Sequence, residues 1–169
     1  RDRVRAAIVS SHLEWPQKRV TVNLAPGDLP KVGAGLDLPI ALGLLSASGQ
    51  LPASALDDLG AFGELGLDGT VRSVPGALPM VDAVRSMRVI VPASDARVTG
   101  LIGGSRTRPV RNLRDIVAVL VEGWPWPNVD IEPRPNPVVA QPDLADVRGQ
   151  NTARTALEIA AAGGHHLLL

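Results

Sequence analysis

Cysteine is absent from the 169 residues, which excludes disulfides, thiolate zinc sites, iron–sulfur clusters and a cysteine nucleophile. Net charge is absent as well. The 17 Lys+Arg balance 17 Asp+Glu, so no global basic field advertises nucleic acid and there is no acidic tail. Lysine is nearly missing: apart from Lys18 and Lys31 every basic residue is arginine, a bias that, with abundant Ala, Gly, Pro and Asp, fits a GC-rich genome. No apolar run reaches the ~18–20 residues of a membrane span; the longest, 38–45 and 116–121, are core-sized. No signal peptide is visible, and the chain opens on Arg1 instead of Met, so its natural N-terminus is expected upstream. With 45% apolar residues the chain can bury a core. A globular, cytoplasmic protein is expected.

Residues 1–122 read as one alternating α/β unit. Val4, Ala7, Ile8 and Ser11 recur at helical spacing with arginines on the other face, predicting a helix over 1–12. Residues 19–24 (Arg-Val-Thr-Val-Asn-Leu) alternate and are β-branched, which predicts a half-buried strand. After a Pro/Gly loop, Asp37 is the expected N-cap of a helix that runs through Ser48 and stops at Gly49. Residues 62–67 and 71–74 flank Asp68-Gly69, a hairpin signal. A helix over 75–87, a strand over 88–92, a short helix, a strand near Pro109 and Val110, and a helix over 113–122 complete the unit. Helices between strands, with one hairpin, predict a mixed-sheet α+β domain and not a purely parallel one.

Composition then shifts. Residues 123–142 hold prolines at 125, 127, 133, 135, 137 and 142, which forbids a regular helix or central strand and predicts a semi-rigid spacer. Trp124 and Trp126, at its start, are expected to tuck against the preceding domain. Beyond it, 143–149 leads into an Ala-rich helix over 151–162, closed by Gly163-Gly164, and 165–169 reads as the start of a buried strand. A parallel-sheet strand without a following helix cannot bury both faces. Residues 143–169 are therefore expected to be the beginning of a second domain.

Candidate chemistry is sparse. The loop carrying Lys31, Gly33, Gly35 and Asp37 runs into a helix N-terminus, where free amides and the dipole can hold an anion. Its spacing fits neither the P-loop nor the dinucleotide fingerprint, and a tight strand-to-helix turn is the expectation. His165 and His166 are adjacent, so on a strand their rings diverge and cannot share a metal; one is expected to face a core. His12 needs no more than a helix end. Glu64 and Asp68, on either arm of the hairpin, are expected to be solvated. Three histidines give no Ser-His-Asp spacing. Arg1, Arg3 and Arg5 form one cluster and Arg106, Arg108, Arg111 and Arg114 another, both candidate phosphate contacts against the expectation of solvated surface.

Several strings carry a resemblance: Val-Asn-Leu-Ala-Pro-Gly-Asp-Leu-Pro-Lys (22–31), Asp-Leu-Pro-Ile-Ala-Leu-Gly (37–43), Gly-Glu-Leu-Gly-Leu-Asp-Gly (63–69), Ala-Asp-Val-Arg-Gly-Gln (145–150) and Ala-Ala-Gly-Gly-His-His-Leu-Leu-Leu (161–169). Together they span essentially the whole chain, which resembles the magnesium-chelatase-like AAA+ ATPases of the ComM (YifB) type. The resemblance implies that 1–122 is similar to the proteolytic domain of Lon, with a βαβ fold shared with GHMP kinases. The catalytic Ser position then falls on Gly35 and the Lys position near Leu78. Gly offers no nucleophile and Leu no base, so peptidase activity is expected to be lost, and no GHMP-type phosphate loop follows Gly33. It implies further that 143–169 opens an AAA+ module, with Asp146, Val147, Arg148, Gly149 and Gln150 on the adenine side of a nucleotide site. The phosphate loop would follow Leu169, so no cofactor is expected for these residues, and ATP with Mg2+ only in the longer protein. That protein would be a homo-hexameric, ATP-driven DNA helicase or translocase acting in branch migration during natural transformation, with no membrane role. The alternatives are a metal-chelatase ATPase subunit, which would lack the protease-like domain, and a non-enzymatic regulatory or scaffold domain.

Overall fold

The computed structural model describes residues 2–25, 33–84, 86–128 and 143–167. The chain divides into two compact units, Arg1–Ile131 and Glu132–Leu169.

The first unit opens with α1 (Asp2–Ser10), which buries Val4, Ala7 and Ile8 as the helical spacing requires. A 3-10 turn, Ala34–Leu36, leads into α2 (Asp37–Ala47). Then come β1 (Leu59–Ala61), β2 (Glu64–Leu65), β3 (Val71–Arg72), α3 (Ala77–Ala83), β4 (Arg88–Pro92), α4 (Ala96–Gly103), β5 (Thr107–Val110) and α5 (Leu113–Glu122). β1, β4 and β5 form a parallel sheet with β4 in the middle, Gly60 opposite Val89 and Ile90 opposite Arg108. β2 and β3 pair only with each other, Leu65 opposite Val71.

β4 explains the layering. Its side chains alternate, so Ile90 joins a core with Ile8, Leu38, Leu45 and Ile116, while Val89 and Val91 join a second core with Phe62, Val74 and Val81. Both faces are covered, and an uninterrupted Val-Ile-Val run is what such a strand requires. Asn112 caps α5: its side-chain oxygen accepts the Asp115 amide at 2.8 Å and its own amide donates to the Asp115 carboxylate at 2.8 Å.

Several expectations are corrected. Residues 19–24 form no strand, because no described strand lies beside them to complete a ladder. β1 stands where sequence placed no strand, and Phe62 and Gly63 lie outside the hairpin arms. The parallel and antiparallel pairs are separate sheets and not one mixed sheet. The helix expected over 75–87 stops at Ala83, where Val84 turns extended. Asp37 lies inside the first turn of α2 and is not its N-cap; Leu36 takes that position, and the Asp37 carboxylate bonds elsewhere.

In the second unit Asp143 and Asp146 form a reciprocal capping box around the short turn Leu144–Asp146. α6 (Asn151–Gly163) follows, ending at Gly164 in the left-handed region. The expected strand is absent at 165–167: His165, His166 and Leu167 are exposed and unpaired with any described strand, so neither histidine faces a core. Leu168 and Leu169 lie outside the described residues, as do 129–142 of the expected spacer. Among the described residues no helix is long and apolar enough to cross a membrane.

Candidate functional site

The glycine loop is held by protein groups. Lys31 lies outside the described residues; Gly33 has φ 94° and leads into the 3-10 turn. The Gly35 carbonyl accepts the Gly63 amide at 2.9 Å, and the Gly63 carbonyl accepts the Leu38 amide at 3.1 Å. One of the amides that an anion would need is thereby occupied. Asp37 puts its own negative charge at this helix end, where the dipole favours it. Its Oδ2 accepts Arg3 Nε at 2.6 Å and the Leu65 amide at 3.3 Å, and Arg3 also reaches Glu64 at 3.4 Å. The hydrogen bond to Asp37 and its charge hold the Arg3 guanidinium above the ordinary arginine value. This triad ties α1, α2 and β2 together across 34 and 61 residues of sequence, a separation that no local pattern announces.

A Cβ at Gly35 would lie 3.6 Å from Met80 Cε and 3.8 Å from the Val74 methyls. Leu78 sits half-buried on α3. The nearest described neighbours of a side chain at Gly35 are thus apolar. At the hairpin turn, Asp68 accepts the Thr70 hydroxyl at 2.7 Å and the Thr70 amide at 3.1 Å, which lowers its pKa. Asp68 and Glu64 have separate partners.

The structure divides the second arginine cluster. Arg106 donates to the Val84 and Ser86 carbonyls, both at 3.1 Å. Arg108 donates to the Thr107 and Ser105 carbonyls and lies over the Trp126 ring. Arg111 and Arg114 are exposed, with no ion pair among the described residues. Of the first cluster, Arg3 is in the triad, Arg5 stands over Trp15 at 6.0 Å, and Arg1 lies outside the described residues. Trp126 packs against the core as expected, whereas Trp124 is 62% exposed. Trp124 and Arg114 border a cavity of about 320 Å³ with His12 and Glu122.

In the second unit Asp146, Val147, Arg148, Gly149 and Gln150 are all exposed. Asp146 is engaged in the capping box, and the Val147 carbonyl accepts from Arg154 at 3.5 Å. Gly149 and Gln150 take positive φ, 69° and 55°, turning the chain into α6. Among the described residues no group of three His, Asp or Glu could hold a metal.

Residues 1–95 match the family model for subunit ChlI of Mg-chelatase, and residues 143–169 match that for magnesium chelatase, subunit ChlI. The chain is 47% identical over 174 residues to the uncharacterized protein YifB of Escherichia coli, with all of this chain aligned. It is 44% identical over 171 residues to YifB of Salmonella typhimurium and 39% identical over 173 residues to the competence protein ComM of Haemophilus influenzae, with 100% and 99% of this chain aligned. In each case it spans 34% of the relative's length. A ChlI match over more than half of the residues, with such relatives along its whole length, places the chain in the Mg-chelatase ChlI family, in the type represented by YifB and ComM.

Proposed function

We propose that this chain is the accessory N-terminal region of a magnesium-chelatase-like AAA+ ATPase, and that the longer protein is an ATP-driven DNA helicase or translocase acting in branch migration. The observation that carries the accessory reading is the apolar setting of Gly35 against Met80 and Val74. A Ser–Lys hydrolase needs a hydroxyl and a base at hydrogen-bonding distance; Gly35 and Leu78 carry neither, and the nearest described side chains at Gly35 are apolar. The first unit, with a Lon-like βαβ fold, then binds or assembles instead of cleaving. Casein incubated with this protein should remain intact while active Lon cleaves it in a parallel control; cleavage by this protein would return the unit to the hydrolases.

In the longer protein ATP would place its purine against Val147 and the backbone of 148–150, with Mg2+ held by residues beyond Leu169. Hydrolysis of that ATP to ADP and phosphate would supply the free energy of translocation. The gene should encode Gly-x-x-x-x-Gly-Lys-Ser/Thr within a few codons of Leu169, and a stop codon there would leave a regulatory or scaffold domain. The assembly is a cytoplasmic homo-hexamer.

DNA is the proposed partner of the longer protein. Of the second cluster, Arg111 and Arg114 are exposed without an ion pair among the described residues and so open to phosphates, whereas Arg106 and Arg108 brace backbone carbonyls. In the full-length protein, Arg111→Ala with Arg114→Ala should flatten the dependence of log affinity on log salt by about 1–2 units. An unchanged slope would remove them from the interface.

A further inference from the structure

The tryptophans of the first unit are not alike. Trp15 and Trp126 pack against the core, each with an arginine over its ring at 6.0 Å. Trp124 is 62% exposed, and among the described residues no cation covers it. Its amide donates to the Ala118 carbonyl at 3.4 Å, just past the left-handed turn at Gly123, so its backbone is held on the last turn of α5. Trp124 borders two cavities. One, of about 320 Å³, it shares with His12, Arg114 and Glu122; the other, of about 460 Å³, with Pro52, Ser54 and Arg88. Charge is ordered along the helix between them. Arg114, Ala118 and Glu122 are spaced by four and share one face of α5. At 1.5 Å per residue, Arg114 stands about 6 Å along the axis from Ala118 on one side and Glu122 about 6 Å on the other. Arg111 lies ahead of Arg114, and both are exposed with no ion pair among the described residues. The Asp115 carboxylate is engaged by the Asn112 amide. Phosphates are therefore drawn toward Arg111 and Arg114, and Glu122 keeps them off the Trp124 end.

We propose, on the DNA reading above, that Trp124 is the stacking platform for a base of single-stranded DNA whose backbone runs along α5 to Arg114 and Arg111. An open indole beside arginines that meet solvent is the pairing that single-strand sites use, with the aromatic ring taking the base and the cations tracking the backbone. The ring accepts any base, because every base has a π-face. A duplex keeps its bases stacked inside and offers Trp124 none, so the platform distinguishes single strands from duplex where phosphate contacts alone do not. On the far side of Trp124, Arg88 spends one donor on the Asp57 carbonyl at 3.3 Å. A guanidinium carries five donors, so Arg88 can meet the next phosphate while keeping that bond.

The test uses the full-length protein with single-stranded oligothymidylate, the same oligonucleotide made of abasic sites, and the duplex of oligothymidylate with oligoadenylate. Trp124→Ala should weaken binding of oligothymidylate by about 5- to 150-fold. It should leave duplex affinity and the salt slope in place, because stacking releases no counterions. Trp124→Phe should keep most of the affinity. Removing the bases should weaken binding to the unsubstituted protein, and by a smaller factor to Trp124→Ala. If the unsubstituted protein binds DNA and Trp124→Ala binds oligothymidylate equally well, the platform is overturned and the DNA reading stands. Equal losses on single strand and duplex also overturn the platform, since the indole then serves something other than a base. No binding of either DNA by the unsubstituted protein overturns both. Should Trp124→Ala fail to fold, the unsubstituted protein decides: equal affinity for the abasic and the ordinary oligonucleotide overturns the platform.

Discussion

Two segments of this chain are written in nearly the same letters and meet opposite fates. β4 reads Arg-Val-Ile-Val-Pro and lies between β1 and β5, with Val89, Ile90 and Val91 fully buried. Residues 19–24 read Arg-Val-Thr-Val-Asn-Leu and remain unpaired among the described residues, with Val22 and Leu24 open. Side-chain alternation decides which residues share a face. It does not supply the neighbouring backbone that turns a stretch of chain into a strand. The hairpin of β2 and β3 is the intermediate case, because its turn delivers the partner within a few residues.

The contrast is most sharply broken at Ile90. Ile90→Ala should lower unfolding free energy by about 2–5 kcal/mol, whereas Val22→Ala should change it by no more than about 0.5 kcal/mol in this chain. Urea unfolding measures both, and equal losses would mean that 19–24 belongs to the core. The hairpin's self-supplied partner is tested at Gly69, whose φ is +85° and whose added Cβ would meet Ser11 Oγ and, at 3.3 Å, the Ala7 carbonyl. Gly69→Ala should cost about 1–3 kcal/mol, and adding Ser11→Ala should recover part of that loss, a non-additivity read from a double-mutant cycle. At the far side of the sheet, Asn112→Ala removes the cap of α5 and should cost about 0.5–2 kcal/mol by the same unfolding measurement.

The smallest effect is in acid. Asp68 has its pKa lowered from the ordinary 3.8 by the Thr70 hydroxyl and amide. Its contribution to stability is therefore complete above the ordinary value and declines as pH falls through the lowered one. Asp68→Asn should remove that part of the acid decline while leaving the neutral-pH fold in place. An acid titration of the two proteins that superimposes would show that the turn does not depend on the carboxylate.

Much of the fold was legible wherever the signal is local. The strand at 88–92, the helix at 113–122 and the hairpin at Asp68-Gly69 follow from apolar periodicity and turn chemistry. β1 was not legible, because Leu-Gly-Ala has little strand propensity and becomes a strand only by lying parallel to β4. Asp37 has the identity of a cap residue, yet its carboxylate serves Arg3 and Leu65, which lie 34 and 28 residues away. Four arginines within nine positions read as one basic patch. Only their surroundings separate Arg106 and Arg108, which brace carbonyls, from Arg111 and Arg114, which meet solvent.

By itself the sequence determined family, element types and apolar faces, because motif strings, periodicity and turn residues act over a few positions of chain. Tertiary structure alone decided which strand-like segments found partners, which arginines were consumed by the fold and where Trp124 was left exposed. Those outcomes depend on backbone and side chains brought together from distant positions, where burial and hydrogen bonding are satisfied by whatever the folded chain places alongside.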